Sequence, residues 1–401
     1  MRRLSVKVDT LFYFFYCFVF FIPSVLSGTI VSMLSNVFWI ISILFLFSKK
    51  TKPNKIIAII SIYYMYLVCV TFVNDTQMAN YHFIINSLKL ICFLLVTKTM
   101  IDRDTDNCIN CLTISLSCYV LINSILVFIY PNGLFQIVSE LNEWTSVSSA
   151  NWIFGNKNNQ ILWYTLWMYV NSILVDRNEH KILPKIWLFL SILISICVFV
   201  IMKSSTSLIV IGLVVAGIYL GNYQRILSRY NLKAKALLLT FFVFEVFLVL
   251  GYTTGLNSFL GNLFGKNTTF SNRVYIWQTV ILQIFQKPIF GWGSIAGSEA
   301  SSVLGRVTYV NAHNQMLNVF WQGGLLLLII VTYMLYYVAK SIDTIFVIKQ
   351  RIKASLIYLS ILVEMLMEVI FGMGNFWVIF LMLNMTMSFC SKGENELYEV
   401  E

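Results

Sequence analysis

Long apolar stretches alternate with short polar segments along most of the chain. Each stretch has about the 20 residues that a helix needs to cross the hydrocarbon core of a bilayer. The pattern predicts an all-α polytopic membrane protein with about twelve transmembrane helices, because helices satisfy their own backbone groups in lipid. The predicted spans are 10–28, 30–48, 56–73, 82–100, 108–130, 159–176, 185–202, 204–221, 235–253, 316–338, 354–373 and 375–390.

The composition supports this class, since 58% of the 401 residues are hydrophobic, 11% are charged and the mean hydropathy is +0.78. The first apolar stretch follows basic residues, as in a signal peptide, but no small-residue cleavage site follows and we expect a retained helix. Most lysines and arginines fall in alternate loops, which the positive-inside rule places in the cytoplasm together with both termini. The net charge of +10 therefore reflects membrane topology. The basic residues are scattered over short loops, which argues against a nucleic-acid partner.

Two connections are long, residues 131–158 and residues 254–315, and both are predicted to lie on the outer side. A long ordered connection in a compact protein often carries function. Within the second, "SNRVYIWQTVILQIFQK" has apolar residues at helical spacing and predicts an amphipathic helix, with Ser271 as its N-cap, on the membrane surface or against the bundle. The segment 391–401 is expected to form an acidic cytoplasmic tail.

Three basic side chains on the predicted outer side are candidate catalytic or anion-binding residues. Arg273, in the first turn of the amphipathic helix, either completes an anion site with the free backbone N–H groups or reaches towards lipid headgroups. His313, followed by Asn314, is either a general base or a solvated loop histidine. Lys203 lies in the short turn "MKSSTS", where a lysine needs a partner or the interface.

Four ionisable residues fall within predicted spans: Lys89, Glu245, Glu364 and Glu368. Charges inside a bilayer are costly, so these side chains should face the protein interior. Glu364 and Glu368 are four residues apart and are predicted to share a helix face, where they would bind a sugar, relay protons or pair with Lys89.

Metal and disulfide chemistry have little support in the sequence. The segment "CINC" has redox or zinc spacing, but no second Cys/His pair lies near it and it opens an apolar helix, which favours small buried hydrophobes. No cysteine lies in a predicted outer loop, so no structural disulfide is expected. The outer loops contain few carboxylates and no DxD-like pair, so we expect no metal site and no cofactor.

Four sequence elements occur in an order that resembles the O-antigen ligase and polymerase superfamily. "SNRVYIWQTVILQIFQKPIFGWG" resembles its R-x3-W…P-x2-G-x-G segment, and "HNQMLNVFWQGG" resembles its H-N-x9-G element. "FGNKNN" is similar to its G-x-x-x-N element, with Asn158 as the match. "KSSTSLIVIGL" resembles an element that often contains an arginine where this chain has Ser205, and Lys203 is the candidate substitute.

The resemblance implies a GT-C-like glycosyltransferase that works on the outer face of a membrane. Its donor would be a sugar chain on undecaprenyl diphosphate, with no nucleotide sugar and no metal. A leaving diphosphate must be stabilised by cations or N–H donors, and Arg273, Lys203 and Arg306 are the candidates. His313 is the candidate base for the acceptor hydroxyl. The remaining predicted substrate-binding residues are Asn158, Asn314, Trp277, Glu364 and Glu368.

Several functions stay open. A polymerase would join lipid-linked repeat units into an O-antigen, capsule or exopolysaccharide, and it is favoured over a ligase because the ligase-type arginine and a following G-x-x-G are missing. A ligase would transfer the finished polymer to a lipid acceptor. A transporter or flippase of lipid-linked sugars would depend on the intramembrane glutamates, and a scaffolding protein would leave the outer motifs unexplained. The expected location is the bacterial cytoplasmic membrane, with a chain-length regulator and a flippase as possible partners.

Overall fold

The computed structural model describes residues 2–142, 145–221, 232–253, 273–295, 297–304 and 311–390. Within these ranges the chain is mainly helical. The α-helices are α1 (Arg2–Phe20), α2 (Thr29–Lys49), α3 (Lys55–Val73), α4 (Tyr81–Arg103), α5 (Thr105–Ile129), α6 (Ile161–Arg177), α7 (Ile182–Ile201), α8 (Ser205–Leu220), α9 (Ala234–Thr253), α10 (Arg273–Gln286), α11 (Gly297–Leu304), α12 (Gln315–Asp343), α13 (Ile348–Met367) and α14 (Gly374–Asn384). Short 3-10 helices cover Ser24–Leu26 and Thr386–Phe389.

Six of the described helices, α2, α3, α4, α5, α7 and α12, are long and apolar enough to cross a bilayer. Helices α8 and α14 are apolar but shorter. The prediction of a polytopic helical membrane protein is therefore confirmed, whereas the number of twelve spans stays a prediction. The first predicted span differs in its limits, because α1 ends at Phe20, three residues before Pro23, which cannot continue a helix.

The all-α prediction is wrong for the first long connection, which contains a small antiparallel sheet. Strand β1 (Phe135–Asn142) pairs with β2 (Thr145–Trp152), and β2 pairs with the short β3 (Gly155–Asn156). The alternating and β-branched residues of "FQIVSELN" and "TSVSSANW" favour extended backbone. The indole of Trp152 donates to the Tyr130 carbonyl at 2.9 Å and fastens the sheet to the end of α5.

Helices α6 and α13 run through the middle of the bundle. Nearly every residue of α6 from Ile161 to Ile173 is buried, against α5, α7, α8 and α14. Helix α13 packs on α8, α9 and α12. Its contact with α8 is close, since a Cβ on Gly217 would lie 3.1 Å from the Lys353 carbonyl oxygen. Both central helices therefore present one end to each side of the bundle.

Helix α12 is interrupted at Gly324, whose φ of 63° and ψ of −164° are accessible only to glycine. The loop that follows α10 enters this break: Leu325 N–H donates to the Pro288 carbonyl at 2.8 Å, and Gly293 N–H donates to the Gln322 carbonyl at 2.7 Å. These bonds replace the helical bonds that the break removes. A Cβ on Gly324 would lie 2.2 Å from the Ile289 carbonyl oxygen, so the loop packs against this glycine too closely for any side chain.

Candidate functional site

Four distant segments meet at the carboxylate of Glu368. Its Oε1 accepts from Arg273 Nη2 at 2.8 Å and from Asn158 Nδ2 at 2.7 Å. Its Oε2 lies 3.3 Å from His313 Nδ1. We call Asn158, Arg273, His313 and Glu368 the Glu368 cluster. The structure therefore brings together the arginine and the histidine that the sequence singled out separately.

Glu368 is placed by the end of α13. Its N–H closes the last helical turn by donating to the Glu364 carbonyl at 2.9 Å, but its own backbone is extended, with φ −142° and ψ 158°. The residue is 5% exposed. A buried carboxylate is stable only when charged or polar donors surround it, and this one has three.

Arg273 begins the described part of α10, as the amphipathic pattern predicts. Ile276 and Ile284 on the apolar face of α10 are buried, and the helix packs against α9 and α12. The guanidinium also donates from Nη1 to Met367 Sδ at 3.3 Å. A guanidinium has five N–H donors, so the ion pair with Glu368 leaves others for a second anion.

His313 lies in a tight turn just before α12, with a φ of 45° that is uncommon outside glycine. Its N–H donates to Asn311 Oδ1 at 2.8 Å, and its side chain is 30% exposed. An ionised carboxylate only accepts hydrogen bonds, so Nδ1 carries the hydrogen that points at Glu368. In the neutral ring, Nε2 then holds the lone pair and can accept a proton.

Asn314 and Trp277 support this turn from inside the protein. Asn314 is fully buried and caps α12, accepting from Leu317 N–H at 2.8 Å and donating to the Leu366 carbonyl at 3.3 Å. Trp277 is also fully buried, and its indole donates to the Ala312 carbonyl at 3.0 Å. Both side chains are buried and bond the backbone on either side of His313, and their contact with substrate stays a prediction.

Asn158 lies between β3 and α6 and connects the cluster to the α7–α8 turn. Its Oδ1 accepts from Ser204 Oγ at 3.2 Å. The next residues of the loop are held by Gln160, which donates to the Gly155 carbonyl at 3.0 Å and accepts from the buried Asn123 at 2.7 Å. This network fixes the loop that presents Asn158.

Two lysines lie beside the cluster. Lys203 is exposed, with a φ of 53°, and its carbonyl accepts from Lys157 Nζ at 3.4 Å. Lys157 precedes Asn158 and Lys203 precedes Ser204 in the chain, so both amines start about one residue, or roughly 4 Å of backbone, from groups bound in the cluster. The backbone of Lys203 therefore adjoins a residue that bonds Asn158 of the cluster, whereas the binding of a diphosphate by its amine stays a prediction. Arg306, the third predicted cation, lies outside the described residues.

The other intramembrane acids are not part of this network. Glu364 is 1% exposed and Glu245 is 6% exposed, and one carboxyl oxygen of each has no hydrogen-bond partner within the described ranges. Lys89 forms no ion pair with either Glu364 or Glu368 in the described part of the chain, because Glu368 pairs with Arg273 and His313. The alternative of pairing with Lys89 is therefore wrong for Glu368.

Sequence reasoning missed the central role of Glu368. It selected the residue only as an intramembrane acid, because nothing in the chain pattern says where a helix will end or which segments its last residue will meet. Ser204 and Met367 were not selected at all. Ser204 is next to Lys203 in the chain and Met367 is next to Glu368, but adjacency in the sequence is too weak a signal to identify a contact.

Residues 189–332 match the family model described as O-antigen ligase. The matched segment contains Lys203, Arg273 and His313, whereas Asn158 and Glu368 lie outside it. None of the curated proteins matches the chain. The family match indicates a function of the O-antigen polymerase or ligase type for a membrane protein. It confirms, over residues 189–332, the resemblance to the O-antigen polymerase and ligase superfamily that the ordered motifs predict.

Proposed function

We propose that the protein transfers a sugar chain from a polyprenyl diphosphate to a sugar hydroxyl, and that the Glu368 cluster is its active site. The observation that carries the proposal is the shared carboxylate: Glu368 holds the candidate base His313 and the candidate anion-binding residue Arg273 at 3.3 Å and 2.8 Å. One reaction that needs both a base and a cation is the displacement of a diphosphate by an alcohol.

His313 acts as the base in this scheme. The acceptor hydroxyl gives its proton to Nε2 while its oxygen attacks the anomeric carbon. The ring then becomes an imidazolium, which the Glu368 carboxylate stabilises through Nδ1–H. The same contact holds the ring in one orientation, so the carboxylate contributes both placement and charge.

Arg273 and the two lysines bind the leaving group. As the bond between the anomeric carbon and the phosphate oxygen breaks, negative charge grows on the diphosphate. We assign the stabilisation of this charge to the unused N–H groups of Arg273 and to the amines of Lys157 and Lys203. One bond forms, one bond breaks and the proton moves to His313, so a single displacement inverts the anomeric centre.

The proposed product is a polymer built from lipid-linked repeat units, in an inner membrane with both termini cytoplasmic. The donor is an undecaprenyl-diphosphate-linked oligosaccharide, and a chain-length regulator and a flippase are the expected partners. The second candidate is ligation of the finished polymer to a lipid acceptor, which the description of the matched family favours. Ser205, where ligase-type sequences often carry arginine, favours polymerisation.

Two variants test the site. Arg273→Ala and His313→Ala should each lower the rate of chain transfer by at least about a hundredfold, the scale of losing a general base or a charge-stabilising donor. The measurement is polymer formation from a purified lipid-linked repeat unit by reconstituted protein at equal membrane levels. Normal chain lengths with either variant would refute the role of that residue.

A matched control uses Glu364→Gln, one helical turn before Glu368, which should retain most of the activity. If this variant were inactive while His313→Ala was active, a transporter would explain the result better.

A cell that lacks the protein distinguishes a polymerase from a ligase. Single repeat units on the final acceptor indicate a polymerase, and long chains left on the lipid carrier indicate a ligase.

A further inference from the structure

A second cluster of charges lies at the other end of α13, far from the Glu368 cluster. Lys349 and Lys353 are in the first two turns of α13, and the rise of a helix places Lys349 about 28 Å from Glu368. Both lysines pair with Asp176 at the end of α6, Lys349 at 3.0 Å. These contacts adjoin a cavity of about 470 Å³ between α6, α7, α8 and α13.

The cavity has a charged side and an apolar side. The charged side consists of Asp176, Glu179, His180, Lys185, Lys349 and Lys353. The apolar side includes Leu188, Ile218 and Tyr219. Tyr219 is 42% exposed on the bundle surface, and the cavity therefore opens beside a surface that lipid tails would cover.

The cations of the cavity outnumber its acids. Asp176 is shared between Lys349 and Lys353, and Glu179 contacts Lys349 at 3.6 Å. Lys185, one turn into α7, forms no ion pair with any described residue.

We propose that this cavity binds a phosphate group, and that the phosphate is the headgroup of an anionic phospholipid. Lys185 and Lys349 hold the phosphate oxygens, and the start of an acyl chain lies along Leu188, Ile218 and Tyr219. A free phosphate would use the same cations but would gain nothing from the apolar side. The mixed lining therefore favours the lipid.

The test measures binding to the purified full-length protein. Protein in detergent micelles is titrated with phosphatidylglycerol, with phosphatidylcholine and with inorganic phosphate, and bound lipid is counted by native mass spectrometry while the unfolding temperature is recorded. Wild-type protein should bind phosphatidylglycerol in preference to phosphatidylcholine, and its unfolding temperature should rise with the bound lipid.

Lys185→Gln should weaken phosphatidylglycerol binding about fivefold, the effect of one lysine near an anionic headgroup. The matched control is Lys52→Gln, an exposed lysine outside the cavity, which should bind as the wild type does. Lys185 is exposed, so its loss should not prevent folding. An equal rise of the unfolding temperature with inorganic phosphate alone would support a phosphate site and reject the lipid as the source of the phosphate. Equal binding of the two lipids with no response to phosphate, or equal binding by wild type and Lys185→Gln, would overturn the proposal.

Discussion

At the scale of single residues, Glu368 decides how the candidate site works. It is 5% exposed, and its two oxygens face an arginine, an asparagine and a histidine from three other segments. A lone buried carboxylate would be unstable, and a lone arginine or histidine would have no fixed position. The three donors and the carboxylate therefore stabilise one another. Removing the carboxylate would leave both Arg273 and His313 without the partner that fixes their positions.

Replacing this carboxylate by an amide is the sharpest single test. In Glu368→Gln, an amide NH2 next to Nδ1 favours the ring tautomer with hydrogen on Nε2, which cannot accept a proton. We expect the transfer rate to fall on the order of a hundredfold to a thousandfold, with little change in the amount of membrane-inserted protein. Steady-state transfer by reconstituted protein measures the effect. A rate within a factor of a few of wild type would show that His313 does not depend on Glu368.

At the scale of elements, the break in α12 receives the loop that follows α10. The loop Pro288–Gly293 lies in the break, and Tyr66 on α3 donates to the Gly323 carbonyl at 2.9 Å beside it. Gly291 and Gly293 have φ values of 76° and 83°, and a Cβ on Gly291 would lie 2.5 Å from Gly324 N. Gly291 and Gly293 of the P-x2-G-x-G segment therefore meet the break at Gly324 of the H-N-x9-G element. This contact fixes α10 relative to the start of α12.

Gly324→Ala should destabilise the protein and lower its activity. The added methyl would collide with the Ile289 backbone, and alanine cannot adopt this backbone conformation without strain of about 1–3 kcal/mol. We expect a lower unfolding temperature in detergent and reduced transfer. The matched control is Gly212→Ala in α8, where a Cβ meets nothing within 4 Å and helix propensity favours alanine. Equal unfolding temperatures for the two variants would contradict the packing argument.

At the scale of the whole molecule, α6 and α13 connect the candidate site with a buried ion pair at their other ends. Lys353 is 2% exposed and pairs with Asp176, which also accepts from Gln350 Nε2 at 3.0 Å. Removing one partner of a buried pair costs more than the pair contributes, because the other charge stays buried.

Replacing Asp176 should lower the free energy of unfolding by more than replacing Lys353. Asp176→Asn leaves Lys353 buried without a carboxylate and should cost about 3–5 kcal/mol. Lys353→Met leaves Asp176 with Lys349 at 3.0 Å and should cost less. The double variant should recover part of the stability lost in Asp176→Asn. Denaturant or thermal unfolding of the three variants measures this order, and additive losses would contradict it.

Much of the molecule follows from its sequence, but the contacts between segments do not. Apolar length predicts spans such as α3, α4 and α5, since each helix satisfies its own backbone bonds. The amphipathic pattern predicts α10, and the motifs select Arg273 and His313. Their meeting at Glu368 depends on where α13 ends, which a helical period does not encode. The sequence analysis does not predict the β1–β2 hairpin, because two eight-residue strands of mixed apolar and polar residues give a weaker signal than long apolar helices.

The interruption at Gly324 also divides α12 into a short first part and a long second part. The part of α12 from Leu325 to Asp343 is about 28 Å long, and α13 is about 30 Å long, so each matches the thickness of the hydrocarbon layer. Glu368 directly follows the end of α13 and lies 3.3 Å from His313 Nδ1, so the Glu368 cluster lies at one end of a helix of this length. On the proposed function, a diphosphate anchored by a polyprenyl tail would react at this end without leaving the bilayer, and only its sugars would extend into water.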